Sequence, residues 1–418
     1  MGKALNFEHS HVGVTRGQPL SLERWFARKL LVALGNVPIA LELWNGELVK
    51  HPVNHSKPEV RVCIRDRRAL WGLVAKPDLF FGDMYSQGRI EVKGSLMHLV
   101  QLAGDAAEDV SVVKGPIGSF FSGLLARSPR ANSISGSKQN IHHHYDLSNE
   151  FYQLWLDPEH LQYTCAYYPR AETTLQEAQA AKLHHVCRKL RIQPGDTVIE
   201  AGCGWGGLAR FMALEYGAKV KAYNISHEQV RFANERAKRE GFTDKVQYIE
   251  DDYRNASGHC DVFVSVGMLE HVGTRQYPLL GSVIDNCLRE DGRGLIHTIG
   301  RNQPRLMNAW IEKRIFPGAY PPTLGEMAAI FEPYRFSILD VENLRLHYAR
   351  TLIHWLENFE ANHAGVEEMF DETFVRAWRL YLTGSIAAFQ TGELQLFQVL
   401  FNRDRDNNIP PTREHLYS

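Results

Sequence analysis

The residues of this 418-residue chain whose types and spacing could do chemistry gather after residue 140. Glu200-Ala-Gly202-Cys203-Gly204-Trp205-Gly206-Gly207 follows the apolar run TVIEA. Glycines so spaced let the backbone turn sharply from strand into helix and approach a ligand closely. A dinucleotide fingerprint is not completed, because Leu208 and Ala209 stand where its third glycine spacing would fall. The carboxylate of Glu200 just upstream favours a cationic ligand over a pyrophosphate. S-adenosylmethionine, with its sulfonium and ammonium, suits that pattern; a merely tight strand–helix turn is the plainer alternative. Asn224-Ile-Ser226-His-Glu-Gln229 reads as a capping box, Ser226 with Gln229 three residues on, and leaves Asn224 and Gln229 open to a ribose. Asp251 and Asp252 could accept from an adenine amino group or sit on a solvated loop. Cys165 invites a nucleophile reading, but no His–Asp relay is legible around it and methyl transfer needs no covalent step. His142-His143-His144 are adjacent, a poor arrangement for a metal, and no metal is expected.

These segments must be held by a regular scaffold, and the C-terminal part supplies one. Helical spacing in LQEAQAAKLHHVCRKL leads to the strand TVIEAG, then to KVKAYNI, VQYIEDD, DVFVSVG and GLIHTIG, with helical patterns between. Strand–helix alternation predicts an α/β, doubly wound and mostly parallel sheet, with ligands beyond the carboxyl ends of its strands. ILDVENL reads as one more strand. ARSPRANSISGSKQN, residues 126–140, reads as a linker between a small α+β domain at 1–125 and a domain at 141–418. In the former, VPIALELW, VRVCIRD and RIEVKGSL read as strands. Charge is balanced, 47 Lys+Arg against 48 Asp+Glu, which argues against a protein built mainly to grip nucleic acid. Six scattered cysteines without a CxxC pair suit a reducing cytosol. Gly35, Asn36 and Pro38 interrupt the most apolar early run, so no span or signal peptide is expected.

Taken in order, KQNIHHHYDLSNEFY, YTCAYY, LQEAQAAK, AGCGWGG, SVGMLEHVG, LIHTIG, IFPGAYPP, HYARTL and YLTGSIAAF resemble the cyclopropane-fatty-acid synthase family of S-adenosylmethionine-dependent methyltransferases. FFGDMYSQGRIEVKGSL is similar to the smaller N-terminal domain of the members that act on phospholipid acyl chains. The resemblance implies a Rossmann-like class I methyltransferase fold and methyl transfer to the double bond of an unsaturated phospholipid acyl chain at the inner membrane face. A carbocation would follow, and loss of a proton from the added methyl would close a three-membered ring. Water would trap that cation, so a dry, aromatic-lined cavity is implied.

By the same resemblance, bound bicarbonate is the base, cradled by Cys165, Glu270, His297 and Tyr348, with Glu270 and His297 able to form a hydrogen-bonded pair. Contacts to S-adenosylmethionine fall on Tyr145, Tyr163, Thr164, Gly202, Gly204, Asn224, Gln229, Asp252, Tyr253 and Val266. Ser385 departs from the pattern, standing where many members carry a cysteine often held to be catalytic; a hydroxyl can keep the same hydrogen bonds. Residues 302–360 read as a lipid-binding helical insertion, with Lys313, Arg314, Arg335, Arg345 and Arg350 either rimming an acyl tunnel or merely solvated. Methyl- or methylene-branching enzymes of the family, a small-molecule N-methyltransferase and a lipid binder with a vestigial cofactor site remain as alternatives, and a homodimer is left open.

Overall fold

The structure, a computed structural model, describes residues 5, 17–53, 57–108 and 148–417. The 126–140 linker, His142–His144 and Tyr145 lie outside the described residues. Two compact units form: Met1–Ser128 with Leu306–Ile315 and Trp355–Glu393, and Pro129–Arg305 with Phe316–His354 and Leu394–Ser418. No single cut separates them, and the expected insertion at 302–360 is apportioned between the two.

The first unit holds a four-stranded sheet of β1 (Ile39–Glu42), β2 (Leu48–Lys50), β3 (Val60–Ile64) and β4 (Ile90–Lys93), in the order β2-β1-β3-β4. β1 and β3 are parallel, and the other two pairings are antiparallel. The helix Glu372–Thr391 starts at Asp371, whose carboxylate caps the Phe374 N–H at 2.7 Å. It buries Phe374, Trp378, Tyr381 and Phe389 and packs on the helices Pro77–Ser86 and Leu96–Glu108. Arg314 joins this unit through a bidentate pair to Asp83, at 2.9 and 2.8 Å, and is not a free cation on a rim.

The second unit is built on seven strands: β5 (Thr197–Ala201), β6 (Lys219–Asn224), β7 (Val246–Glu250), β8 (Cys260–Val266), β9 (Leu288–Gly300), β10 (Phe336–Asn343) and β11 (Gln395–Arg403). Their order is β10-β11-β9-β8-β5-β6-β7, and β5 to β9 pair in parallel. The reversed strand, β11, is inserted antiparallel to both β9 and β10. Successive residues of the inner strands feed opposite cores. Val198, Val262, Val264 and Leu295 face one, while Ile199, Phe263 and Ile296 face the other. Burial on both faces is why these strands read as continuous apolar runs. The helix Leu175–Lys189, with a Thr174–Glu177 capping box, covers the first core through Leu183 and Val186. Chain direction out of β5 goes to β6 and β7 on one side, and β8 and β9 lie on the other. The sheet's switch point therefore falls between β5 and β8, where open α/β sheets bind ligands.

Candidate active site

At that switch point a cleft of about 1030 Å³, counting its solvent-open mouth, lies beyond the carboxyl ends of β5, β6, β7 and β8. Tyr163, Thr164, Gly202, Gly204, Asn224, Gln229, Asp252, Tyr253 and Val266 all line it, with Glu200, Trp205, Met268 and His271. Gly202 and Gly204 have φ of +85° and +54°, a left-handed backbone that a side chain would strain. Asn224 spans the turn, its Nδ2 donating to the Gly204 carbonyl at 3.2 Å and to Gln229 Oε1 at 2.8 Å. The capping box expected here is therefore only half formed. Ser226 Oγ accepts from the Gln229 N–H at 3.5 Å, but the Gln229 side chain bonds Asn224 and not the cap backbone. Asp252 is also engaged: Arg254 Nε and Nη2 donate to its two oxygens at 2.8 and 2.9 Å.

Charge is set deep in the cleft wall. Glu200 is buried, one carboxylate oxygen has no hydrogen-bond partner, and burial pushes its pKa up to about 8 against the opposing Lys182 charge. Lys182 is itself fully buried on the helix Leu175–Lys189, and burial pushes it down to about 8. Its ammonium donates to Gln162 Oε1 and, at 3.0 Å, to Thr164 Oγ1. Tyr163 continues into an aromatic wall, its ring 5.5 Å from Tyr152 and 5.2 Å from Trp155, with Tyr152 4.8 Å from Trp205. A buried carboxyl with one unpartnered oxygen, a glycine turn and an aromatic wall together fit a ligand that is cationic and carries a flat ring.

Glu270, His297, Cys165 and Tyr348 do not line this cleft but are buried in the same unit. Glu270 sits on a 3-10 turn after β8, next to the cleft residue His271. Its Oε1 accepts the Ile299 N–H at 2.5 Å, Oε2 has no partner, and burial raises its pKa to about 7. His297 lies on β9 across from Val266. Burial pushes its pKa down to about 3, so the ring is neutral. Gln398 Nε2 lies 3.1 Å from His297 Nδ1. An amide N–H donating there leaves the proton on Nε2, which is buried and has no partner. The direct Glu270–His297 hydrogen bond that the sequence suggested is not made: Ile299 engages Glu270 Oε1, Gln398 lies by His297 Nδ1, and Glu270 Oε2 and His297 Nε2 are each left without a partner. Cys165 donates its thiol to the Ala166 carbonyl at 3.1 Å. Burial holds that thiol far above its usual range, which disfavours the thiolate. The Ala166 N–H donates at 3.0 Å to Thr351 on the helix Arg345–Ala361, one turn beyond Tyr348.

Ser385 is half-buried on the helix Glu372–Thr391 of the first unit. Arg335 pairs with Asp404 at 2.9 Å, and Arg350 lies over the Tyr168 ring at 4.2 Å while donating to the carbonyls of Arg170, Ala171 and Thr173. Arg314, Arg335 and Arg350 are thus held by ion pairs or backbone carbonyls, Arg345 is half-buried and Lys313 is exposed. Sequence reasoning missed Lys182 and Gln398. The first was hidden by its ordinary place in a helical pattern, the second by its strand, whose run QLFQVLF was the available signal. Among the described residues no cluster of His, Cys, Asp or Glu could hold a metal ion, and no helix is long and apolar enough to cross a membrane.

The strand order, the glycine turn and the cleft define an S-adenosylmethionine-dependent methyltransferase of class I fold. The chain belongs to the mycolic acid cyclopropane synthetase family, whose model matches residues 133–399; a domain of unknown function matches 26–113. A probable fatty acid methyltransferase of Pseudomonas putida is 35% identical over 395 residues, spanning 91% of this chain and 97% of its own. The cyclopropane-fatty-acyl-phospholipid synthase of Escherichia coli K12 is 40% identical over 271 residues, 65% of this chain and 69% of its own. Among solved structures, the mycolic acid cyclopropane synthase CmaA1 complexed with SAH and CTAB superposes with a TM-score of 0.60 at 29% identity, over 64% of this chain and 98% of that one.

Proposed function

We propose that this chain adds a methylene bridge across the double bond of unsaturated phospholipid acyl chains, working as a peripheral protein on the cytoplasmic membrane face. The observation that carries the reading is the pair of unsatisfied buried atoms at the ends of β8 and β9, Glu270 Oε2 and His297 Nε2. A proton acceptor for a carbocation must be held away from bulk water, and neutral or protonated donors suit an anion there better than a second fixed charge would. Bicarbonate fits that donor set: the neutral His297 ring offers an N–H, and Glu270, raised to about 7, can offer an O–H. When bound, it supplies the base for the proton that ring closure releases. Tyr348 and Cys165 are proposed to complete the cradle through a hydroxyl and backbone groups.

S-adenosylmethionine, when bound, supplies a methyl activated by a sulfonium. Toward it, Glu200, kept mostly protonated by burial, contributes charge once the ligand's cation favours its ionised form; Asn224, Gln229 and Asp252 contribute polar contacts, and Tyr163, Tyr253, Trp205 and Val266 contribute apolar walls. Thr164, held by Lys182, fixes the loop that carries Tyr163 and Cys165. Tyr145 is proposed to add a further contact. Ser385 is proposed to keep the hydrogen bonds of the family cysteine. The E. coli relative's phospholipid substrate supports the headgroup class, and the P. putida relative's name favours a second reading in which the cation loses its proton elsewhere and leaves a methyl branch. Incubation with S-adenosylmethionine and oleoyl phosphatidylglycerol, with and without bicarbonate depletion, tests the proposal. Cyclopropane acyl product that falls on depletion and recovers on readdition is expected; product formation indifferent to bicarbonate removes the base assigned here.

A further inference from the structure

Among the described residues, the helix Ser21–Ala33 in the first unit is buried along one face and exposed along the other. Glu23, Ala27 and Leu31 are buried, with Glu23 accepting from the Leu20 N–H at 2.7 Å and from Arg67 at 2.8 Å. Phe26 meets Trp71 edge-on at 5.1 Å. Opposite, Leu22 and Trp25 remain 55% and 50% exposed, and Val32 continues the same stripe at helical spacing. Trp71 is exposed beside it. The remaining large exposed positions are Arg28 and Lys29, Lys29 lying 5.4 Å from the Trp25 ring, and none of the helix's exposed positions is acidic.

We infer that this face docks the chain on an anionic phospholipid bilayer. Resting on the function proposed above, the inference names the surface that brings the enzyme to its substrate. An amphipathic helix that presents Trp and Leu with Lys and Arg lies in the plane of the interface, apolar side chains at the acyl boundary and cations at the headgroups. At about 1.5 Å per residue the helix is roughly 20 Å long, enough to rest along the surface and too short to cross it. A second copy is the weaker occupant, because a two-fold contact would set Arg28 and Lys29 against their own like charges.

Sedimentation of the full chain with phosphatidylglycerol–phosphatidylcholine vesicles and with pure phosphatidylcholine vesicles tests it. Binding to the anionic vesicles that weakens with salt is expected. The double variants L22S/W25S and R28E/K29E should each bind them about tenfold more weakly or worse, the scale of losing one or two buried apolar groups or surface charge contacts. Both should keep wild-type affinity for S-adenosylhomocysteine and wild-type transfer to detergent-dispersed lipid. Wild-type binding that is absent, variants that bind as tightly as wild type, or a wild-type dimer that L22S/W25S splits would each overturn the docking face. Failure of every form to modify dispersed lipid would instead strike the proposed function, with the vesicle result standing apart.

Discussion

Replacing Glu270 by Gln separates the ionisation of that carboxyl from its shape. The amide can still accept the Ile299 N–H that Oε1 accepts at 2.5 Å. What disappears is a buried acid whose pKa rises from 4.5 to about 7 because burial penalises its charged form. The sign follows from which state holds the proton. Below pH 4.5 folded and unfolded chains are both protonated, and nothing is lost. Between 4.5 and about 7 the unfolded chain ionises while the folded one does not, so wild-type stability falls as pH rises. Above about 7 both are ionised and the penalty is complete. At 1.36 kcal/mol for each tenfold change in the ionisation constant, that rise is worth about 3 kcal/mol. The Gln variant lacks the penalty, so its stability relative to wild type should climb by about that amount from pH 4.5 to 8, read by denaturant unfolding across the range. Turnover should fall roughly 100-fold, the scale of a positioned acid–base group, with affinity for S-adenosylhomocysteine preserved. A stability difference flat with pH, or near-normal turnover, refutes the reasoning.

Lys182→Met leaves Gln162 Oε1 and Thr164 Oγ1 without their buried donor, and should weaken S-adenosylhomocysteine binding by about tenfold, measured by calorimetry on folded protein. Gly207→Ala places a methyl 2.2 Å from the His160 carbonyl oxygen; a loss of about 1–3 kcal/mol in unfolding free energy is expected from the overpacking. Ser385→Cys, which installs the residue that the family resemblance leads one to expect there, should change turnover by no more than about twofold, the scale of a half-kcal/mol substitution. A large gain there would assign the Ser a defect.

How far the sequence could be read depends on the type of strand. β5, β8 and the later half of β9 were legible because strands covered on both faces are largely apolar, β6 and β7 because buried residues alternate with exposed ones, and the glycine turn after β5 identified the ligand end of the sheet. β11 escaped notice because Gln395 and Gln398 break its apolar run, yet Gln398 is the side chain that lies 3.1 Å from His297 Nδ1. Lys182 in LQEAQAAKLHH reads as a solvated helical cation, and only the packed structure shows it fully buried. The capping box was misread for a related reason: Gln229 has two partners within reach, and the choice of Asn224 is decided by the turn after β6. The grouping of 306–315 and 355–393 with the N-terminal residues rests on contacts between positions hundreds of residues apart, which composition along the chain cannot reveal.

The central claim is that a cation on the acyl chain loses its proton from the newly added methyl. Supplying the donor with a trideuterated methyl and analysing the oleoyl phospholipid product by mass spectrometry and proton NMR tests it most directly. Expected is an acyl chain that has gained a ring CD2, one deuteron having left with the proton acceptor. A product that keeps all three deuterons as a methyl branch would contradict it, as would lipid recovered unchanged while an amine is methylated.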